Sequence, residues 1–279
     1  MRGALLLAAG ALVLAAAPSS WENELRAWRD AYEASLKAPD GWLSVAGLFW
    51  LHEGDNAVGS DPLSPVVLRE GLPKQAGVLR LRSGVVTFEP ASGPPVVLRH
   101  DSPDAVHLGS LTMTIIRRGD RIGARLKDPE SAARRNFTGC QWFPPDAKWR
   151  IEARWIPYPT PKVTKLLNVL GMTIEETSPG YAEFTVGDKP FHLEPITEKT
   201  EQGEHLFFLM KDATAGRTTY AAGRYLYAAM PSNGIVELDF NKAENPPCAF
   251  TSFATCPLPP RQNILPLAIE AGEKKYEKH

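Results

Sequence analysis

The stretch RTTYAAGRYLYAAMPSNGIVELDFNKAENPPCAFTSFATCPLPPRQNILPLAIEAGE runs from Arg217 to Glu273 and places polar residues and prolines between three apparent β-strands. Glu237, Asp239 and Asn241 stand two residues apart, so a strand would put them on one face and the apolar residues between them on the other. The following NPPC and CPLPP sequences cannot form a regular ladder, because proline lacks the donor N–H. The stretch therefore predicts a β fold with a shaped loop beside a candidate site.

The rest of the chain shows the same β character. Short segments rich in Val, Thr and Leu are punctuated by Gly, Pro, Asp or Ser about every eight to twelve residues, which is typical of an antiparallel sandwich. The polar segment DPESAARRN separates two such blocks. We therefore predict a mainly β fold with an antiparallel sandwich over residues 41–130. A second β-rich sandwich or barrel-like subdomain follows over residues 131–279.

Local signals predict particular turns and one helix. The dipeptides Ser83-Gly84, Gly119-Asp120 and Gly187-Asp188 each separate two apolar runs and favour tight hairpins. Residues 18–40 form the predicted N-terminal amphipathic helix, with a capping box at its start. Its apolar stripe consists of Trp21, Leu25, Trp28, Tyr32 and Leu36.

Residues 1–17 have the pattern of a signal peptide. A basic residue precedes a short apolar run, and three alanines precede Pro18. The run is too short to span a bilayer comfortably, so we expect cleavage near Ala17 and no stable membrane insertion afterwards. The mature protein is therefore expected to be periplasmic or secreted.

The charge balance bears on possible partners. The chain has 31 basic and 32 acidic side chains, and its basic doublets, Arg117-Arg118 and Arg134-Arg135, are isolated. This distribution gives no electrostatic footprint for nucleic acid. Nucleic acid is therefore an unexpected partner, whereas a small polar molecule is compatible with the sequence.

Export would permit a disulfide between two of the three cysteines. Cys248 and Cys256 are the natural pair, and their bond would rigidify the proline-rich loop. Two reduced, buried thiols would produce the same sequence. Cys140 lies among bulky apolar neighbours and is interpreted as a small buried hydrophobe.

Several motifs together resemble a bacterial and archaeal family known as domain of unknown function 1684. They are GWLSVAGLFWL, RRGDRIGARLKD, WFPPDAKWRIEARW, GRTTYAAGRYLY, DFNKAENPPCAF and TCPLPPRQN. The resemblance covers nearly the whole mature chain and implies no particular activity. GDNAVGSDPLSPVVL with LRLRSGVVTFEP is also similar to the opening strands of a forkhead-associated sandwich. Ser60 stands where phosphothreonine readers of that class carry arginine, so phosphopeptide binding is not expected.

Candidate catalytic groups occur in the sequence FHLEP. On a strand, His192 and Glu194 would point the same way, as a base with its orienting group or as two metal ligands. Asp239 would join them if the strands were adjacent. The alternative is a solvated sheet face, which also carries polar residues at alternate positions.

Candidate ligand-binding residues lie in or beside the opening stretch. Arg217 and Arg224 could clamp a carboxylate or sugar hydroxyls, although an arginine there could equally hold Asp239 in a structural pair. The other candidates for ligand binding are Glu237, Asn241 and Asn245. The aromatic residues Tyr220, Tyr225, Tyr227, Phe250 and Phe253 would offer stacking surfaces or form core.

The sequence leaves three function classes open. The leading hypothesis is an exported protein that binds a small polar ligand, such as a saccharide, in its C-terminal half. The second is a hydrolase that uses Asp239 or Glu194 with His192, and the third is a structural envelope protein. G-x-S-x-G, H-E-x-x-H, Walker and dinucleotide motifs are absent from the sequence. No metal site is predicted, and neither a cofactor nor an oligomeric state follows from the residues.

Overall fold

The computed structural model describes residues 19–200 and 203–277, so the predicted signal peptide at 1–17 lies outside the described residues. The chain is mainly β with an N-terminal helix, α1 (Ser20–Lys37), which confirms the predicted fold class. Among the described residues, the helices are too short or too polar to cross a membrane.

The first strands form a two-sheet sandwich. They are β1 (Val45–Trp50), β2 (Gly54–Gly59), β3 (Val66–Val67), β4 (Gly77–Arg82), β5 (Val85–Pro90), β6 (Val96–Leu98), β7 (Ala105–Leu108), β8 (Leu111–Arg118) and β9 (Arg121–Lys127). One sheet has the order β1-β9-β8-β7 and the other β3-β2-β4-β5-β6. Leu79 and Phe88 of the second sheet pack with Met113 and Ala124 of the first in one core.

The remaining strands form a second pair of sheets. They are β10 (Arg150–Leu167), β11 (Thr173–Val186), β12 (Lys189–Leu193), β13 (Ile196–Thr200), β14 (Gly203–Met210), β15 (Arg224–Ala229) and β16 (Ile235–Asp239). Their orders are β12-β11-β10-β16 and β13-β14-β15. Ala153, Phe184 and Leu238 of the first sheet pack with Phe208 and Leu226 of the second. A short helix, α2 (Ala132–Arg135), lies between the two sandwiches in sequence.

The three predicted hairpins are confirmed. Ser83-Gly84 joins β4 to β5, Gly119-Asp120 joins β8 to β9, and Gly187-Asp188 joins β11 to β12. Ser83 and Gly84 have φ values of 49° and 84°, and a tight turn with two such residues matches the right-handed twist of the flanking strands.

One predicted strand is wrong. The sequence ILPLAI, residues 264–269, runs as irregular chain beside the end of β14, with Leu265 N–H donating to the Lys211 carbonyl at 2.7 Å. Pro266 has no N–H to continue the ladder. The predicted irregular loop is confirmed, because NPPC enters a short 3₁₀ turn and CPLPP runs as irregular chain with an isolated bridge at Pro257.

The predicted N-terminal helix packs against the second sandwich. Ser19 and Glu22 form the expected capping box. Trp21 Nε1 donates to Asp239 Oδ2 at 3.2 Å, and Arg29 donates to the Asn241 carbonyl at 3.4 Å. Trp28 lies edge-on to Trp142, with ring centres 5.8 Å apart. The stripe is therefore a packing surface.

Asp239 and Asn241 support this contact. The apolar side chains of β16 alternate into the core, as expected. Asn241, however, lies beyond the end of the strand, in a short turn whose N-cap is Asp239. Asp239 Oδ1 accepts from the Asn241 backbone N–H at 3.1 Å and from its side-chain amide at 2.9 Å. Asn241 also exchanges two 3.0 Å hydrogen bonds with the backbone of Asp146. Their hydrogen-bonding capacity is therefore used within the protein.

We expect Asp239→Ala to lower the free energy of unfolding by about 2 kcal/mol or more, because the buried Asn241 donors and the partly buried Trp21 indole N–H would lose their acceptor. Denaturant titration measures this change. Glu237→Ala is the matched control: Glu237 is exposed, and its replacement should change stability by less than about 0.5 kcal/mol. Equal, small effects of both substitutions would contradict the structural role of Asp239.

Candidate functional site

A cavity of about 600 Å³ lies where α1, the β8–β9 hairpin and the β13–β14–β15 sheet meet. The helix contributes Tyr32 and Leu36, and the hairpin contributes Arg117 and Arg118. Trp42, which follows the helix, also lines it. A concave junction between two folded units is a common place for a small-molecule site.

The floor of the cavity is the outer face of the β13–β14–β15 sheet. Successive side chains of a strand point to opposite faces, so Phe208 enters the core and Phe207 faces the cavity. Phe207 pairs with Tyr227 on β15, and their rings stack with centres 4.7 Å apart. Tyr225 lies edge-on to Phe207 at 4.8 Å. We call Phe207, Tyr225 and Tyr227 the aromatic strip.

Tyr227 is the open member of this strip. Phe207 and Tyr225 are buried, whereas 41% of the surface of Tyr227 remains exposed. One face of its ring rests on Phe207. The cavity therefore presents a supported aromatic surface.

Half-buried carboxyl groups border the strip. Glu198 lies on β13, and Glu244 exchanges two 2.9 Å backbone hydrogen bonds with Tyr225. Glu176 reaches the cavity from β11. Burial raises the pKa of all three, and that of Glu244 lies well above its ordinary value because Glu273 and Glu198 add like charge. These groups can donate as well as accept hydrogen bonds when protonated.

The opposite wall is basic. Arg118 Nε donates to Thr255 Oγ1 at 2.9 Å, and its Nη1 donates to Asp101 Oδ1 at 3.2 Å. These contacts fix the tip of the first sandwich against the proline-rich loop of the second. Arg117 is exposed beside it and donates to the Gly119 carbonyl at 3.0 Å.

The predicted disulfide is not formed in this structure. Cys248 and Cys256 are free thiols, and the Cys248 N–H donates to Cys256 Sγ at 3.2 Å. A second hydrogen bond joins the two thiol side chains and lowers the pKa of Cys248 to about 7. The same hydrogen bond, together with burial, raises the pKa of Cys256. A thiol of Cys256 that donates to Cys248 explains both directions. The loop is thus held by hydrogen bonds and packing, and the alternative of two reduced thiols is the one observed.

His192 and Glu194 do not form a catalytic pair. His192 is exposed on β12, whereas Glu194 follows the strand and is buried. Glu194 accepts from Tyr158 and Thr164 hydroxyls at 2.9 Å and from Lys162 at 2.9 Å. Burial alone would raise the pKa of Glu194, but these hydrogen bonds outweigh it and lower the pKa. No hydrogen bond or ion pair joins His192 to Glu194 among the described residues.

Asp239 does not approach them either. It ends β16, which lies at the opposite edge of the sheet from β12. Three strand spacings, about 14 Å, separate these edges. Asp239 would join His192 and Glu194 only if their strands were adjacent. The strands are not adjacent, so the structure does not assemble the Asp239 or Glu194 with His192 arrangement.

Arg224 has a carboxylate partner different from the expected one. It is 1% exposed, and its Nη2 lies 3.4 Å from Asp212 Oδ1. It also donates to the carbonyls of Ile269, at 3.0 Å, and Ala271. The alternative of a structural pair therefore fits Arg224, with Asp212 in place of Asp239.

The other predicted ligand-binding residues are dispersed. Arg217 is exposed and donates to the Ala213 carbonyl at 2.8 Å. Glu237 is exposed and forms a 2.7 Å ion pair with Arg150. Among the predicted site residues, Asn245 lines the cavity, as does Cys256 of the predicted disulfide.

Asn245 connects the cavity to a buried carboxyl group. Its backbone N–H donates to Glu273 Oε2 at 2.7 Å, and the Tyr32 hydroxyl donates to the same oxygen at 3.2 Å. Glu273 is fully buried, and its Oε1 has no hydrogen-bond partner among the described residues. Burial raises the pKa of Glu273 to about 7, although contacts from Asn245 and Cys140 act to lower it.

Sequence reasoning missed most of the cavity. No local sequence motif marks the three carboxyl residues of the cavity, Glu176, Glu198 and Glu244. In the sequence, Arg117-Arg118 is an isolated basic doublet. The signal in the sequence was the aromatic run RYLY, in which two tyrosines alternate on one strand face. Only the tertiary structure brings the carboxyl groups beside it.

The structure thus defines a two-sandwich β protein with a polar cavity at the junction. A family model described as protein of unknown function (DUF1684) matches residues 135–274, half of the chain, and the protein belongs to the DUF1684 family. The match covers the second sandwich and the loops that complete it.

A solved structure is also similar. The solution NMR structure of the uncharacterized protein from gene locus rrnAC0354 of Haloarcula marismortui is 30% identical over 52% of this chain and 81% of that chain, with a TM-score of 0.43. No curated protein matches the chain.

Glu273 predicts a pH dependence of stability. Its folded-state pKa of about 7 exceeds its ordinary value of 4.5, so the folded protein retains a proton that the unfolded chain has released. The free energy of unfolding should therefore fall as pH rises from about 4.5 to about 7 and then level off. Glu273→Gln, which mimics the protonated form, should weaken this decline.

Urea titrations at pH 5, 6, 7 and 8 would measure the effect on the wild type and on Glu273→Gln. Glu198 and Glu244 contribute with the same sign, so some decline should persist in the variant. Exposed Glu237→Gln is the control and should leave the profile unchanged. Identical profiles for wild type and Glu273→Gln would show that Glu273 does not titrate in this range.

Proposed function

We propose that the protein binds a small polar ligand of the saccharide class in the cavity between its two sandwiches. The observation that carries the proposal is the aromatic strip with carboxyl groups on both sides. The open face of Tyr227 would stack on the apolar face of a sugar ring. Glu198 and Glu244 would exchange hydrogen bonds with its hydroxyls.

The dimensions and surroundings support this proposal. The cavity volume of about 600 Å³ lies within the range of small-molecule sites, which is about 300–1,000 Å³. Its surface combines aromatic rings with carboxyl, guanidinium and hydroxyl groups. Such a mixture suits a ligand that has both polar edges and a weakly polar face.

The proposed setting is the periplasm or the exterior of the cell, as the leader-like pattern of residues 1–17 predicts. A saccharide or cell-wall fragment is available there. A purely structural envelope role is the alternative that a failure of binding would favour.

A hydrolase is the second candidate, with different residues from those expected. The observation that favours it is Glu244, whose raised pKa favours the protonated form beside the aromatic strip. A protonated carboxyl group can act as a general acid toward a leaving oxygen. Glu244→Gln should then abolish turnover of a bound oligosaccharide while leaving its binding within about twofold, since glutamine retains hydrogen-bonding capacity.

Binding is tested with a panel of hexoses and hexose oligosaccharides by saturation-transfer NMR and calorimetry. For any sugar that binds, Tyr227→Ala should weaken affinity about twofold to twelvefold, because ring stacking contributes about 0.5–1.5 kcal/mol. Glu198→Ala should also weaken it, because alanine cannot exchange hydrogen bonds with the sugar hydroxyls.

Two controls match these variants. Ile235 has an exposure of 40%, close to that of Tyr227, but lies on β16, and Glu237 is an exposed carboxylate on the same strand. Ile235→Ala and Glu237→Ala should leave affinity unchanged. Absence of binding across the panel, or equal losses in the control variants, would contradict the proposed site.

A further inference from the structure

The carboxyl groups of the cavity have no cation to balance them. Glu176, Glu198 and Glu244 are half-buried, and their side chains form no hydrogen bond or ion pair among the described residues. Unlike the enclosed Oε1 of Glu273, their carboxyl oxygens retain accessible surface that a ligand can reach. Three unused acceptor groups therefore face one cavity.

These carboxyl groups lie close to one another and to the open ring of Tyr227. Burial raises the pKa of Glu198, and the charge of Glu176 adds to the rise, against an opposing effect of His205. His205 lies opposite Glu198 in the β13–β14 register, but no ion pair joins them in the described part of the chain. Burial also raises the pKa of Tyr227, and the charges of Glu244 and Glu198 add to it. The carboxyl groups therefore border the aromatic ring within range of one another's charge.

The basic wall does not supply the missing cation. Arg118 is already paired with Asp101 at 3.2 Å, whereas Arg117 is exposed and donates to the Gly119 carbonyl at 3.0 Å. Neither arginine forms an ion pair with the floor among the described residues. Three carboxyl groups thus share the cavity with one guanidinium group that lacks a carboxylate partner, so the excess charge of the ionised cavity is negative. The excess stays negative when Glu244 is protonated.

The aromatic strip also lacks a cation. The face of an aromatic ring is electron-rich and attracts positive charge. Elsewhere the guanidinium carbons of Arg121 and Arg29 lie 4.2 Å and 4.6 Å from the ring centres of Trp50 and Trp142. Within the described ranges, no cationic side chain lies over a ring of the strip. The open face of Tyr227 and the carboxyl groups beside it therefore favour the same kind of group, a cation in the cavity.

We propose that the saccharide bound in this cavity is an amino sugar of the hexosamine class, whose protonated amine binds Glu198 and Glu176. This inference rests on the proposed function and adds the charge of its ligand. The sugar ring lies on the aromatic strip, and its ammonium group faces the carboxylates of the floor. A primary ammonium group donates up to three hydrogen bonds, which the unpartnered carboxyl oxygens accept. A quaternary ammonium group would leave them unpartnered.

The test compares glucosamine, N-acetylglucosamine, glucose and glucuronate at pH 7 and equal ionic strength, by calorimetry and saturation-transfer NMR. The wild-type protein should bind glucosamine at least about fivefold more tightly than glucose, because a charge-assisted hydrogen bond replaces a neutral one. N-acetylglucosamine carries a neutral amide at the same position, so it should lack this advantage.

Charge-neutralising variants assign the preference to the floor. Glu198→Gln keeps hydrogen-bonding capacity and removes the charge, so the ratio of glucosamine to glucose affinity should fall to within about twofold. Glu176→Gln should lower the ratio to an intermediate value. Glu204→Gln is the matched control: Glu204 lies on β14 of the same sheet but pairs with Lys199 at 3.0 Å outside the cavity. This control should keep the wild-type ratio.

A second readout does not require ligand. Glu198→Gln relieves repulsion among the carboxyl groups, so the melting temperature of the ligand-free protein should stay the same or rise. A large fall would show that Glu198 supports the fold, and would overturn its assignment as a free counterion for the ligand.

The outcomes separate the two proposals. Equal affinities for glucosamine and glucose, or tighter binding of glucuronate than of glucosamine, would overturn the ammonium site and leave saccharide binding intact. A preference for glucosamine that persists in both Glu198→Gln and Glu176→Gln would overturn the assignment to these carboxylates. Absence of binding by all four sugars would overturn the proposed saccharide site together with this inference.

Discussion

The buried guanidinium group of Arg224 organises the second sandwich and the chain that follows it. It sits on β15, pairs with Asp212 and donates to carbonyls in the segment that leads to Glu273. In this segment the Gly272 carbonyl accepts from the Phe143 N–H, whereas the carbonyls of Ile269 and Ala271 accept from the arginine side chain. Asp212 in turn accepts from the Ile269 N–H at 2.8 Å. Together they place Glu273 where it can hold Asn245 and Tyr32 at the edge of the cavity.

The cavity is a consequence of how three surfaces meet. The surfaces belong to helix α1, the β8–β9 hairpin and the outer face of the β13–β14–β15 sheet. Each of these elements packs mainly against other parts of the protein, and the polar groups that remain line the space between them. Glu198 and Glu244 lie on the floor, and Arg117 and Arg118 form the facing wall. The acidic side chains lie on one side of the cavity and the basic side chains on the other, and among the described residues no ion pair joins the two sides. An ordinary structural contact would pair such charges.

The sequence predicted the elements that depend on local physics. Alternation along the strands, the three tight turns and the capping box at Ser19 each follow from short-range sterics and hydrogen bonding, and each is present. The proline-rich loop was predicted for the same reason. The strand predicted at residues 264–269 was wrong partly because the backbone N–H and carbonyl of Ile269 bond to the side chains of Asp212 and Arg224, contacts that no local pattern reveals.

The candidate site depended on tertiary placement and was predicted poorly. Asp239 and Asn241 alternate like functional residues, yet their spacing serves a turn cap. A structural carboxylate partner was one of the alternatives for Arg224. Asp212 and Asp239 both lie near it in sequence, and the fold places Asp212 beside it. Glu198 and Glu244 come together only because β13 and residue 244 pair with the other strands of one sheet.

The most direct test of the cavity as the binding site uses two tryptophans as reporters. Trp42 lines the cavity, whereas Trp21 bonds to Asp239 at the position that the sequence had favoured. Fluorine NMR of protein labelled with 5-fluorotryptophan, assigned through Trp→Phe variants, would follow both during titration with a saccharide that binds in the calorimetric panel. The resonance of Trp42 should shift while that of Trp21 stays fixed. A shift at Trp21 alone, or no shift at either residue, would contradict placement of the site in the cavity.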